Sequence, residues 1–281
     1  MSDFEDSTTS GLPAKAYNDA IKEMIESHFK TSPENCKITI SAGSGKGDNY
    51  IGVLYRVNVK YLKQELNVIA KLPPENKARR EQFYARICFL RESLFYDSVL
   101  PMIQKFQADK GIDAVDGFYH VAQCYKSLID EPHEGLMLED LKVTGFEMFD
   151  RLKEVTADHV NLMMKALGKF HAISFAIKDQ KPELIEPFKD MSDIFFQRDD
   201  KWEVLMTNFY EGLRKQALGV LESCENQDLV ERARKILDAN LFKLAMGCLD
   251  GREADPYAVI NHGDCWNNNI MYRYDVSSCK F

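Results

Sequence analysis

The segment HGDCWNNN places a carboxylate, Asp264, five residues before an amide, Asn269, with His262 two residues ahead of the carboxylate. The pattern is H-x-D-x-x-x-x-N. A carboxylate can sit beside an acceptor hydroxyl while an amide oxygen five residues on turns back to a metal that bridges phosphates. Those are two of the parts that phosphoryl transfer needs. Asp and Asn are also the commonest turn residues, so the segment alone reads equally well as an Asx-rich turn. The strand-like stretches on either side, YAVIN and NIMYRY, favour a site.

Phosphoryl transfer further needs a cation on the phosphates and backbone amides over them. Lys71 ends a strand-like run, ELNVIAKL, just before a helical stretch, where kinases carry a phosphate-binding lysine. Glu92, in FLRESLFYDSVLP, can pair with it if that helix turns the carboxylate inward. Otherwise Lys71 is a solvated strand end and Glu92 an exposed helical glutamate. Gly43, Gly45 and Gly47 lie between two strands, in SAGSGKGDNYIGVLYR. They do not form a Walker A loop, because Gly45-Lys46 would need a glycine at position 40, which is Ile40. Their even spacing differs from G-x-G-x-x-G, and Gly-rich hairpin turns are common. Position before a long strand makes Gly45 and Gly47 phosphate-loop candidates.

The elements that must hold these residues read as α+β. Residues 1–13 form a polar, flexible tail. A helix over Ala14–Phe29 turns Tyr17, Ile21, Met24 and Phe29 to one side. A short strand follows at Cys36–Ser41. From Ile51 to Tyr61 apolar residues recur at every second position, the mark of a half-buried strand. Glu65–Leu72 is a third strand, and a single helix is expected over about Asn76–Ser98 with Phe83, Ile87, Leu90 and Leu94 on its core stripe and Pro101 just beyond. GFYHVAQCYKSL and Gly135–Leu141 read as two more strands. From Gly145 the chain turns helical, with stripes at Val160, Met163, Met164 and Leu167, and from Val230 through Ala233, Leu237, Leu241 and Leu244 to Cys248. This gives a β-rich lobe over 14–141 and a mainly helical lobe over 142–281.

Composition narrows the partners. The net charge of −8 disfavours nucleic acid and anionic membranes. No apolar run approaches the roughly 18 residues of a membrane span. The first residues lack the apolar core of a secretory signal. Seven scattered cysteines without C-x-x-C suggest free thiols in a reducing, cytoplasmic setting.

Taken together, GKGDNYIGVLYRVNVKY, NVIAKLPP, FLRESLFYDSVLP, GLMLEDL, LGKFHAISFAIK and VINHGDCWNNNIMYRYD resemble the ecdysteroid-kinase-like (CHK kinase-like) family, abundant in insects and related to choline kinases and aminoglycoside phosphotransferases. The resemblance implies a protein-kinase-like two-lobed fold that uses ATP and magnesium to phosphorylate a small-molecule alcohol such as an ecdysteroid. It implies that Lys71 holds the α- and β-phosphates and Glu92 orients it. Glu139, Asp140 and Leu141 would form the hinge that meets adenine through backbone atoms. Asp264 would be the catalytic carboxylate, Asn269 a magnesium ligand, and His262 a brace for the loop. Gly263 stands where protein kinases carry the arginine that answers a phosphorylated activation loop, so that mode of activation is not expected.

In the family a return strand with a D-F-Q- or D-F-G-like aspartate, the main magnesium ligand, follows this loop. Here DVSS reads as the hairpin turn and CKF as the start of the return. The C-terminal lobe is therefore expected to be truncated, in a fragment or shortened isoform. The alternative is a non-catalytic nucleotide- or ligand-binding pseudokinase.

Overall fold

The computed structural model describes residues 11–43, 52–189, 191, 193–194 and 199–274. Gly45 and Gly47, the proposed phosphate-loop glycines, and the return segment from Asp275 lie outside the described residues.

A five-stranded antiparallel sheet organises the first half. Its strands are β1 (Lys37–Ala42), β2 (Val53–Tyr61), β3 (Gln64–Leu72), β4 (Cys124–Leu128) and β5 (Gly135–Glu139), in the spatial order β1-β2-β3-β5-β4. β2 and β3 form a tight hairpin, with Tyr61 opposite Gln64 and Val53 opposite Leu72. Leu62 in its turn has φ of 54°, the left-handed region that such short turns require. Alternation sets the faces: Leu66, Val68, Ala70 and Leu72 are buried, while Lys71 lies on the opposite face. Helix α1 (Lys15–Phe29) covers the buried side with Tyr17, Ala20, Ile21, Met24, Ile25 and Phe29. Ile25, Val57, Val59 and Val68 lose all contact with solvent. Each such side chain contributes about 1.5–3 kcal/mol of burial.

The single helix expected over Asn76–Ser98 is instead α2 (Lys77–Gln82), α3 (Ala85–Leu94), a π-turn at Phe95–Val99 and α4 (Leu100–Asp109). Tyr84, at φ 51°, breaks the first two apart. Beyond the expected end, Leu100 N–H reaches five residues back to Phe95 O, and Pro101 sits in the first turn of α4, where its missing N–H costs least. The fully buried line on α3 is Ala85, Phe89 and Ser93, a different face from the predicted stripe.

Three other expectations change. Only Cys124–Leu128 of GFYHVAQCYKSL is a strand. After Gly145 a short strand, β6 (Phe146–Met148), precedes α5 (Ala157–Gln180), and β6 pairs with β7 (Met271–Arg273). YAVIN, before the HGD segment, forms no strand. Along α5 the helical spacing holds but the burial lies further on: Phe170, Ile173, Ser174 and Ile177 are buried, whereas Val160 and Met164 are exposed.

Two compact units emerge, one of Met1–Ile173 with Asn261–Phe281 and one of Ser174–Ile260. The second contains α6 (Pro182–Ile185), α7 (Asp200–Leu221), α8 (Gln227–Leu237) and α9 (Leu241–Leu249). Trp202 and Tyr210 of α7 pack against Phe242 of α9. The stripe predicted from Val230 to Cys248 is divided between α8 and α9, because Asn240 accepts from Lys243 N–H at 2.9 Å and starts a new helix.

Candidate active site

Lys71 sits in β3 between Leu54 of β2 and Leu136 of β5, so a strand on each side fixes its backbone. Its ammonium donates to both oxygens of Glu92, at 2.9 and 2.7 Å. Both side chains remain about one-third exposed, 32% and 30%. The pair is therefore held from below and open to a ligand. Gly52 lies against this lysine: a Cβ there would come within 3.3 Å of Leu72 O and 3.7 Å of Lys71 Cγ.

Glu92 reaches Lys71 because the helix that carries it is anchored to the sheet. Glu134, just ahead of β5, is fully buried. It accepts from Arg80 of α2 and Arg86 of α3, both at 2.6 Å. Burial alone would raise its carboxyl, but those two hydrogen bonds outweigh it and hold the carboxyl below the usual range. At the other end of the helix, Ser127 of β4 donates to Asp97 at 2.6 Å. One turn beyond Glu92, burial and then the Glu92 charge push the Tyr96 hydroxyl far up. Burial likewise raises the nearby Cys124 thiol to about 11, which leaves it protonated and unreactive. No local pattern marks Glu134. A glutamate after a Pro-His turn reads as surface, and only the two arginines some fifty positions upstream reveal its role.

The Glu139–Leu141 segment leaves the sheet. Glu139 N–H donates to Gln123 O and Asp140 N–H to Asn67 O. Asp140 is buried, accepting from Arg56 Nε at 2.7 Å and from Lys142 N–H at 3.1 Å, and so caps the 3-10 turn Leu141–Thr144. Its side chain is thus committed to the fold.

In the HGD segment Gly263 has φ of 80°, a conformation that favours glycine. The turn brings Asp264 N–H to His262 Nδ1 at 3.2 Å, so the imidazole braces the loop. A 3-10 turn over Asn267–Asn269 then carries the chain back. Asn269 Nδ2 donates to Asp264 O at 2.9 Å and to Asp264 Oδ2 at 2.8 Å. The five-residue spacing thus brings the carboxylate and the amide together. Asp264 Oδ1 and Asn269 Oδ1 accept no hydrogen bond among the described residues. Both residues are exposed. This loop and the Lys71–Glu92 pair belong to the same compact unit.

Hard, oxygen-only donors suit magnesium, which commonly takes one or two protein oxygens and completes its shell with phosphate and water. The Asn269 Oδ1, left over when Nδ2 donates to Asp264, fits that description as one protein oxygen. Among the described residues no group of three or more His, Cys, Asp or Glu can hold a metal by itself. No described helix is long and apolar enough to cross a membrane.

An antiparallel sheet lobe with a strand lysine paired to a helical glutamate, joined in sequence to a helical part and an HGD-x-x-x-x-N loop, defines a kinase-like α+β fold. The model of the ecdysteroid kinase-like family matches residues 46–280, and the chain belongs to that family. No curated protein and no solved structure matches the chain.

Proposed function

We propose that the chain is an ATP- and magnesium-dependent phosphotransferase acting on a hydroxyl of a small lipophilic alcohol, such as an ecdysteroid. Membership of a kinase-like family supports the reaction class. The observation that carries the assignment to residues is the contact of Asn269 with the Asp264 carboxylate at 2.8 Å. Lys71, oriented by Glu92, binds phosphate oxygens. The backbone of Glu139–Leu141 meets the base. The Glu139 and Asp140 amides already donate within the fold, so the donor offered to adenine is the Leu141 N–H. Asp264 faces the acceptor hydroxyl with its unengaged Oδ1. The hydroxyl oxygen forms the new bond to the γ-phosphorus, the bond from that phosphorus to ADP breaks, and the hydroxyl proton passes to Asp264. Asn269 Oδ1 remains for magnesium, which when bound would neutralise charge on the phosphate oxygens.

The test is transfer from radiolabelled ATP over a panel of alcohols that includes an ecdysteroid. Asp264→Asn should lower transfer about 10²–10⁴-fold, the range of a positioned base, with ATP affinity retained. Transfer that survives Asp264→Asn would remove the proposed base. ATP binding without transfer to any alcohol would favour a nucleotide-binding pseudokinase.

A further inference from the structure

β6 and β7 are three residues each and, among the described residues, pair only with one another. A two-stranded ribbon of that length is marginal in water. Yet β7 begins two residues after Asn269, so its seat fixes where that amide lies. A slip of β7 by one residue would carry the chain about 3.3 Å along the strand. That displacement exceeds the 2.8 Å contact between Asn269 and Asp264.

What seats β7 is His159, in the first turn of α5. Its ring packs on Phe149, Tyr272 and Tyr274, with centroids 4.5, 4.7 and 5.8 Å away. Both nitrogens are engaged: Nδ1 with Thr156 Oγ1 at 2.6 Å and Nε2 with the Tyr274 hydroxyl at 2.9 Å. Tyr272 of β7 and Tyr274, one residue past its end, are two apart and both meet the His159 ring. On the other side Arg273 lies over the Phe146 ring of β6, 5.0 Å from its centroid. His159 makes no hydrogen bond to Asp264 or Asn269.

We propose that His159 is a positioning residue: by holding Tyr272 and Tyr274 it fixes the register of β7, and through it the place of Asn269 beside Asp264. The positioning stands on geometry alone; only its consequence for metal rests on the proposed phosphotransferase reading.

The experiment uses the full chain with His159→Phe, which keeps a ring and loses both hydrogen bonds, and Tyr274→Phe, which loses one half-exposed hydroxyl. The first readout needs no nucleotide. Trp266 lies inside the loop and is 40% exposed, while Trp202 is 6% exposed, so acrylamide quenching samples the loop. The second is the magnesium concentration for half-maximal ATP binding, followed by calorimetry. Both variants should increase quenching and raise the magnesium requirement about 10-fold or more, as loss of an outer-shell support does. ATP affinity at saturating magnesium and the thermal midpoint should stay near wild type. Unchanged quenching in a folded variant overturns the proposal. If wild type binds no ATP, the phosphotransferase reading falls and quenching alone decides the positioning. If His159→Phe does not fold, Tyr274→Phe decides.

Discussion

Replacing Glu134 by alanine should be among the most destabilising single changes in the sheet unit. Its side chain is 0% exposed, and its partner Arg80 is 14% exposed, so the loss strands a guanidinium with little water. Breaking a buried pair in this way costs about 3–5 kcal/mol. For a unit of this size that corresponds to a fall in melting temperature of roughly 6–20 °C. Arg86, at 39% exposure, can rehydrate when its partner goes. Arg86→Ala leaves the buried Glu134 its second partner, Arg80, and should cost less, about 1–3 kcal/mol. Urea unfolding and thermal melts of the two variants measure the difference. Equal losses for the two, or a smaller loss for Glu134→Ala, would refute the anchoring argument. The pH dependence supplies a second check. Glu134 has its carboxyl lowered from the ordinary 4.5 in the folded state. A lowered carboxyl contributes stability that is present above its unfolded value and is lost as pH falls through the folded one. The stability gap between wild type and Glu134→Gln should therefore hold at neutral pH and shrink below about 4.5. A gap unchanged down to pH 3 would show that the carboxylate charge is not what the arginines hold.

Two further predictions concern the site. Lys71→Ala should weaken ATP binding in a calorimetric titration, whereas Lys60→Ala, which removes only an exposed pair with Glu65 at 3.7 Å, should leave it unchanged; equal effects would remove the case for Lys71. Asp140→Ala should cost about 2–3 kcal/mol in urea unfolding, since it strips Arg56 and the Lys142 amide of a buried charged acceptor, and a loss below 0.5 kcal/mol would show the cap to be dispensable.

Much of the sheet was legible because it is a local property. Period two over β2 and β3 states which side chains face α1, and the same alternation puts Lys71 on the other face. The Asp264–Asn269 pair was legible from spacing, since five residues suffice for one turn to fold the amide back on the carboxylate. The helix after β3 was misread in detail. Nothing in FYAR announces a left-handed tyrosine at position 84, and the π-turn follows from how Leu100 reaches Phe95, not from residue type. YAVIN is apolar enough for a strand but pairs with no strand among the described residues, and a strand needs a partner.

The sequence by itself determined which residues carry charge and oxygen at chemically useful spacings, and which face of each regular element is apolar. Those depend on neighbours within one turn or one strand. Tertiary structure decided which glutamate is buried and which pairs in the open. Glu92 meets Lys71 across 21 residues, and Glu134 meets Arg80 across 54. It also decided that His159 meets Tyr274 across 115 residues. A carboxylate or imidazole has the same intrinsic chemistry wherever it stands in a chain. Its role is set by the dielectric and the partners that packing brings to it, and no local pattern encodes those.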